Sequence, residues 1–252
     1  MCFAAPQGGR IRLGTARRQL MTHAALVTGS SSGIGMAIAE RLLADGWQVH
    51  GLDVAPPAIR HAAFEPVAVD LGNPDATEQA TSALLARHTL SALVHAAGNL
   101  RVAPLGQLRH PDTLSMWQLH VDAIARIANL VVPAMQAAGH GRVVLIGSRV
   151  ARGMAGRSQY AAAKAALIAL ARSWAAEVVA QGVTINVVSP AATATAMLLD
   201  PARQSTAPKL PPLGRLIRPA EVAAAVAFLL SDEAAAITGQ DLQICGGASL
   251  AP

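Results

Sequence analysis

The stretch Ala24-Ala25-Leu26-Val27-Thr28-Gly29-Ser30-Ser31-Ser32-Gly33-Ile34-Gly35 decides the fold. Its first four residues form a short apolar run that reads as a buried strand. The remaining eight form a glycine-rich turn, and residues 36–44 follow with a helical pattern closed by Asp45-Gly46. Glycine serves where the backbone turns sharply or approaches a ligand closely. Such a turn between a strand and a helix start aims N–H groups outward at the positive end of a helix dipole, which suits a pyrophosphate. The spacing is TGxxxGxG, not the commoner GxGxxG. Taken alone, such a turn is also an ordinary connection between elements.

Working outward, strand and helix patterns alternate. Strands are expected over residues 47–53, 66–70, 90–95, 142–146, 183–188 and 241–244. Helices are expected over 74–87, 111–138, 158–181 and 219–230, with Pro133 bending or breaking the second and Gly182 stopping the third. Residues 195–216 carry Pro201, Pro208, Pro211 and Pro212 and read as a loop over the site. This alternation predicts an α/β chain: one Rossmann-type, doubly wound parallel sheet of about seven strands with helices on both faces. No repeat or second domain is visible. Ligands of such sheets bind at the carboxyl ends of the strands near the order reversal, and Asp53, Gly98, Ser148 and Pro190 all fall at predicted strand ends.

Tyr160 is the only tyrosine, and it stands four residues before Lys164, one of two lysines. Residues four apart on a helix share a face. A phenol titrates near pH 10, and a nearby cation favours the phenolate and lowers that value. The pair is then a proton donor and acceptor for a hydroxyl or carbonyl. The plain alternative is a solvated lysine beside a tyrosine on a helix surface.

In this order and at these separations, the motifs resemble the short-chain dehydrogenase/reductase family over nearly all of residues 22–250. The closest flavour is that of the 3-oxoacyl-acyl carrier protein reductases and related bacterial alcohol dehydrogenases. Thr28 to Gly35 resembles the family's cofactor loop, Asp70-Leu71 its adenine contact, and His95-Ala96-Ala97-Gly98 its NNAG turn. Residues 186–195 resemble the segment that meets the nicotinamide, while Gly239-Gln240 and Gly246-Gly247 resemble the C-terminal signature. The resemblance implies hydride transfer between a nicotinamide cofactor and a secondary alcohol or ketone. Tyr160 would be the general acid/base, Ser148 would hold the substrate oxygen, and Lys164 would bind the ribose. The implied cofactor contacts are Gly29, Ser31, Ser32, Gly33, Ile34, Gly35, Asp53, Asp70, Leu71, Ala97, Gly98, Tyr160, Lys164, Pro190, Ala191, Thr193 and Thr195. It also implies a homotetramer assembled through long helices.

Several positions depart from the family pattern. Ser148 and Tyr160 are twelve apart, one fewer than usual. Ala96 replaces an asparagine, Ala191 a glycine, and Cys245 a common aspartate. His120 occupies the place of the fourth catalytic residue, an asparagine, and is expected to face Lys164 and to titrate near pH 6.5 as part of a proton relay. A second class of reading therefore stays open: a catalytically impaired nucleotide-binding member acting as a sensor or partner subunit.

Asp53 ends the second strand, where a carboxylate accepts hydrogen bonds from ribose hydroxyls and repels a 2′-phosphate. No arginine or lysine stands at Ser30, Ser31 or Ser32, so NAD(H) is expected over NADP(H). Arg149, Arg152 and Arg157 crowd the segment between Ser148 and Tyr160, and Arg101 follows Gly98. They match an acidic or carrier-bound substrate, although surface arginines are commonly just solvated.

The net charge of +5 does not mark a nucleic-acid binder. Arg10, Arg12, Arg17 and Arg18 lie within residues 1–20, which contain no acid, and without them the charge is +1. Residues 1–20 read as an extension upstream of a natural start at Met21, or as a disordered arm; residues 21–252 read as one catalytic domain. Cys2 and Cys245 make neither a disulfide framework nor metal spacing, and the eight histidines form no HxxxH or HExxH pair. No apolar run is long enough to span a bilayer. A cytoplasmic enzyme without metal is expected.

Overall fold

The apolar run before the glycine-rich turn forms β1 (Ala24–Thr28), and every residue in it is buried. A computed structural model describes residues 23–199 and 210–250. The expected extension over residues 1–20, the start at Met21 and the middle of the 195–216 loop lie outside the described residues. The chain continues through α1 (Gly33–Ala44), β2 (Gln48–Asp53), β3 (Phe64–Ala68), α2 (Pro74–Leu85) and β4 (Ala92–His95). Next come α3 (His110–Trp117), α4 (Ala123–Ala138), β5 (Gly141–Ile146), α5 (Ser158–Val178) and β6 (Val183–Pro190). It closes with α6 (Ala196–Leu199), α7 (Pro219–Leu230) and β7 (Asp241–Ile244).

Seven parallel strands form one sheet in the order β3-β2-β1-β4-β5-β6-β7. The chain winds outward from β1 to β3, returns to place β4 beside β1, and winds outward the other way. The reversal between β1 and β4 opens a crevice at the carboxyl ends of the strands. Alternate strand residues feed two cores. Leu26, Leu93, Leu145 and Ile185 pack with Leu84, Ile124, Ile127 and Leu167 from α2, α4 and α5. Val27, Val94 and Val188 pack with Ile38 and Leu42 of α1 and Val222 and Val226 of α7. Each fully buried side chain of this size stabilises the fold by about 1.5–3 kcal/mol. Truncating one of them, such as Leu26→Ala, costs about 2–5 kcal/mol. Asn186, buried in β6, donates from Nδ2 to the Ile237 carbonyl at 2.8 Å and accepts from the Gln240 amide at 3.1 Å. It fastens the approach to β7.

The long helix departs from expectation. Its backbone is interrupted not at Pro133 but at residues 118–122, a π-helical turn between α3 and α4. α4 runs through Pro133 and ends at Gly139, whose φ is 67°. Pro133 leaves the Asn129 carbonyl without its helical donor. Both residues are exposed, so that carbonyl is open to solvent and the helix continues. β6 also extends two residues beyond expectation, which puts Pro190 inside the strand end.

Candidate active site

Two clefts meet at the reversal. The first, about 260 Å³, is lined by Gly29, Ser32, Gly33, Ile34, Gly35, Asp53, Asp70, Leu71, Ala97 and Gly98. The second, about 280 Å³, is lined by His120, Ser148, Arg149, Arg157, Tyr160, Lys164, Pro190, Ala191 and Thr193. Ile34, Ala96, Gly98, Thr195 and Met197 line both. Of the expected cofactor contacts, only Ser31 lies outside both linings. Its amide donates to Asp53 Oδ2 at 2.9 Å and its hydroxyl to the Ala55 carbonyl at 3.1 Å.

The first cleft suits the phosphate-bearing part of a nucleotide. Gly29 has φ 69°, and a Cβ there would lie 2.8 Å from Ala97 Cα, so the loop packs backbone to backbone against the turn after β4. Ser32 caps α1 without a side-chain hydrogen bond, and no acidic residue stands in the first turn. The N–H groups and dipole of that helix start are thus available to phosphate. Asp53 Oδ1 accepts from the Ala55 amide at 2.9 Å. The carboxylate therefore caps a turn through both oxygens. A carboxylate has about four lone-pair sites, which leaves acceptor capacity for ribose hydroxyls.

Thr28 holds the turn that separates the clefts. Its Oγ1 lies 3.0 and 3.1 Å from the amides of Ala96 and Ala97 and 2.9 Å from His95 Nδ1. Accepting from both amides, the hydroxyl donates to His95 Nδ1, which leaves the His95 proton on Nε2. Burial, then the Lys164 charge, lowers the His95 pKa to about 3, against the backbone carbonyls of Leu119 and His120.

In the second cleft, Lys164 is buried and donates from Nζ to the Ile146 carbonyl at 2.8 Å. Burial lowers its pKa to about 7. Nζ lies 5.7 Å from the Tyr160 ring centroid, as expected of positions one turn apart on α5. Ser148, two residues past β5, is buried, and its Oγ accepts from the Val150 amide at 3.2 Å. That leaves its O–H free in direction to meet a substrate oxygen. The arrangement puts a phenol and a hydroxyl on the wall of one cleft, with a buried amine beside the phenol.

The π-helical turn carries His120 into this site. Its Nε2 lies 2.8 Å from the Asn99 carbonyl oxygen and 3.2 Å from the Asn99 amide nitrogen. The imidazole fills the space where a Cβ on residue 98 would lie, so Gly98 is required by close approach. Burial, then the Lys164 charge, holds His120 well below its ordinary pKa. The expected titration near pH 6.5 is thereby corrected: this imidazole stays neutral, because a proton would put a second cation in a dry space beside Lys164.

The arginines separate. Arg149 and Arg157 line the cleft, while Arg152 is exposed and lines neither. Arg101 points to Asp112, 4.0 Å away. The sequence reading missed the apolar wall of Leu100, Val150, Met154, Met197 and Leu198, and Asn99 as the holder of His120. Apolar loop residues carry no spacing signal; Asn99 stands directly after the recognised turn and was legible there.

Comparison with known proteins agrees with this fold. A family model described as enoyl-(acyl carrier protein) reductase matches residues 29–249. The 3-oxoacyl-[acyl-carrier-protein] reductase FabG of Escherichia coli K12 is 37% identical over 250 residues, covering 88% of this chain and 96% of that protein. The short-chain reductase protein NovJ of Streptomyces niveus is 33% identical over 244 residues, covering 88% and 92%. Among solved structures, ligand-free aldohexose dehydrogenase of Thermoplasma acidophilum superposes with a TM-score of 0.84 at 27% identity, covering 91% of this chain and 95% of that one. On the fold, the paired clefts and these relatives together, the chain belongs to the short-chain dehydrogenase/reductase family.

Proposed function

We propose that this protein reversibly reduces a ketone to a secondary alcohol with NAD(H) in preference to NADP(H), with Tyr160 as the general acid/base. The observation that carries the reading is the meeting of Ser148, Tyr160 and Lys164 in one cleft that opens onto the glycine-rich loop. A nicotinamide cofactor, when bound, supplies or accepts the hydride. Gly29, Gly33, Ile34, Gly35, Asp53, Ala97 and Gly98 would hold it. In the reductive direction Tyr160 gives its phenolic proton to the substrate oxygen, and Ser148 donates a hydrogen bond to that oxygen as charge develops. Lys164, when protonated, favours the phenolate that remains. His120 packs edge-on against the phenol and fixes its ring.

The names of the relatives make 3-oxoacyl thioesters the first substrates to try. Arg149 and Arg157 on the cleft wall support an anionic or carrier-bound acyl group. Asp53 and the absence of basic side chains at Ser30, Ser31 and Ser32 support NAD(H). Exposed Leu114 and Trp117 on α3 and Phe228 on α7 support a homotetramer, to be checked by sedimentation. Among the described residues no helix is long and apolar enough to cross a membrane, which accords with a cytoplasmic enzyme.

The test is an initial-rate panel of 3-oxoacyl thioesters and simple ketones with NADH and NADPH, and of secondary alcohols and an aldohexose with the oxidised cofactors. We expect turnover of a 3-oxoacyl thioester with the higher kcat/KM for NADH. Cofactor binding without turnover of any panel member would favour the impaired, nucleotide-sensing reading.

A further inference from the structure

We propose that His50, Glu65 and His88 form a binding site for a zinc-type divalent cation, outside both clefts. The three residues come from separate elements, so no spacing in the sequence discloses them. His50 lies on β2 and Glu65 beside it on β3, paired in register. His88 follows α2, with its amide donating to the Leu84 carbonyl at 2.9 Å. One imidazole nitrogen of each histidine and a carboxylate oxygen of Glu65 lie within 4.8 Å of one another.

Glu65 Oε2 stands 3.0 Å from His50 Nδ1 and 3.0 Å from His88 Nε2. The two rings are 4.2 Å apart between centroids. Nε2 of His50 is buried and has no hydrogen-bond partner, while Nε2 of His88 is buried with the Glu65 carboxylate as its polar neighbour. An unpaired buried imidazole nitrogen costs free energy, which a metal would recover. Only 3% of His50 is exposed, whereas Glu65 and His88 are 35% and 27% exposed and leave a path for entry.

The chemistry of the donors selects the ion. Two imidazoles and one carboxylate are a zinc-type set with a fourth position left for water. Magnesium and calcium prefer all-oxygen sets. Ligating histidines must be neutral. Burial, then the neighbouring His88, holds the His50 pKa below its ordinary value, although Glu65 opposes this. Arg87 Nη2 donates to Glu65 Oε1 at 2.7 Å. That bond orients the carboxylate and leaves Oε2 toward the histidines, in the manner of an outer-shell partner. The Arg87 charge opposes a cation, but the side chain is 56% exposed, so solvent screens it. None of the three candidate ligands lines either cleft. At about 3.3 Å per residue along β2, His50 lies roughly 10 Å from Asp53. Metal there would clamp β2, β3 and the end of α2 together without entering the reaction.

The experiment is calorimetric titration of the full chain, carrying no polyhistidine tag, with Zn²⁺ alone. His88→Ala and Glu65→Gln are run beside it, and circular dichroism verifies their fold. Wild type should bind one equivalent, and its Tm should rise by roughly 5 °C or more at a hundredfold excess over Kd. Each variant should lose more than about 100-fold in affinity, beyond the usual effect of an outer-shell partner. Absence of binding to wild type, or equal binding by both variants, overturns the site and leaves an ion-paired histidine cluster. Zinc-edge X-ray absorption on wild type needs no variant. It should show two imidazoles among light-atom ligands, and a sulfur ligand or no imidazole overturns the assignment.

Discussion

The imidazole of His120 meets the phenol ring of Tyr160 edge-on, with centroids 5.5 Å apart and planes at 85°. Edge-to-face packing of aromatic rings is favourable and directional. His120 thus packs against Tyr160, and its Nε2 lies 2.8 Å from the Asn99 carbonyl oxygen.

His120 is neutral over the working range, so it contributes no acidic limb to the rate. We expect His120→Asn to retain the wild-type kcat–pH profile between pH 5 and pH 8. His120→Ala removes the packing and opens a cavity beside Gly98. It should cost about 2–4 kcal/mol of stability, as core truncations do, and lower kcat at every pH. A wild-type acidic limb that vanishes in His120→Asn would mean that the imidazole does titrate.

Lys164 gives stability its own pH dependence. Its pKa is about 7 when folded and 10.5 as the ordinary value. Below pH 7 both states are protonated and the full burial penalty applies. Between pH 7 and 10.5 the folded amine gives up its proton while the unfolded one keeps it, so the penalty shrinks and stability rises with pH. The unfolding free energy of wild type minus that of Lys164→Met should climb over this window by at most about 1.4 kcal/mol per pH unit. Denaturant melts at several pH values measure it, and a flat difference would contradict the burial.

Asp53 is expected to set the cofactor. Removing a charged acceptor of hydrogen bonds costs about 1.5–3 kcal/mol. Asp53→Ala should therefore lower kcat/KM for NADH roughly 10- to 100-fold and leave that for NADPH unchanged or higher. Loss of the Ser31 and Ala55 contacts would also loosen the loop, so a Tm measured alongside separates unfolding from lost recognition. An unchanged ratio of the two cofactors would contradict the role.

The cleft arginines make a paired prediction. Arg157→Ala should raise KM for an acidic or carrier-bound substrate about 10-fold or more, and leave a neutral ketone unaffected. Arg152→Ala, at an exposed position outside the lining, should change neither. Equal effects of both substitutions on both substrates would remove the anionic-substrate reading.

Much of this architecture is legible in the sequence because its signals are local. The apolar run 24–27, the glycine turn and the Tyr160–Lys164 spacing each depend on a few adjacent residues. Pro219 and Gly182 mark element ends for backbone reasons that no tertiary contact overrides. The long helix is interrupted at 118–122 and not at Pro133, and the turn there carries His120 into the space over Gly98, a contact distant in sequence. His120 lines the second cleft, and its pKa is held below the ordinary value. Its pKa depends on burial and on Lys164, neither of which is encoded in neighbouring residues. Arg152 and Arg157 looked equivalent as charges, and only the turn between β5 and α5 separates them.

The central claim is that Tyr160 carries the proton in a hydride transfer within the paired clefts. Single-turnover reduction of a 3-oxoacyl thioester with pre-bound NADH, for wild type against Tyr160→Phe, tests it most directly. The substitution removes one hydroxyl and keeps the ring against His120. The account predicts a fall of about 10²- to 10⁴-fold in the rate of NADH consumption, the range expected of a lost general acid, with NADH binding retained. A Tyr160→Phe rate within about threefold of wild type would contradict it.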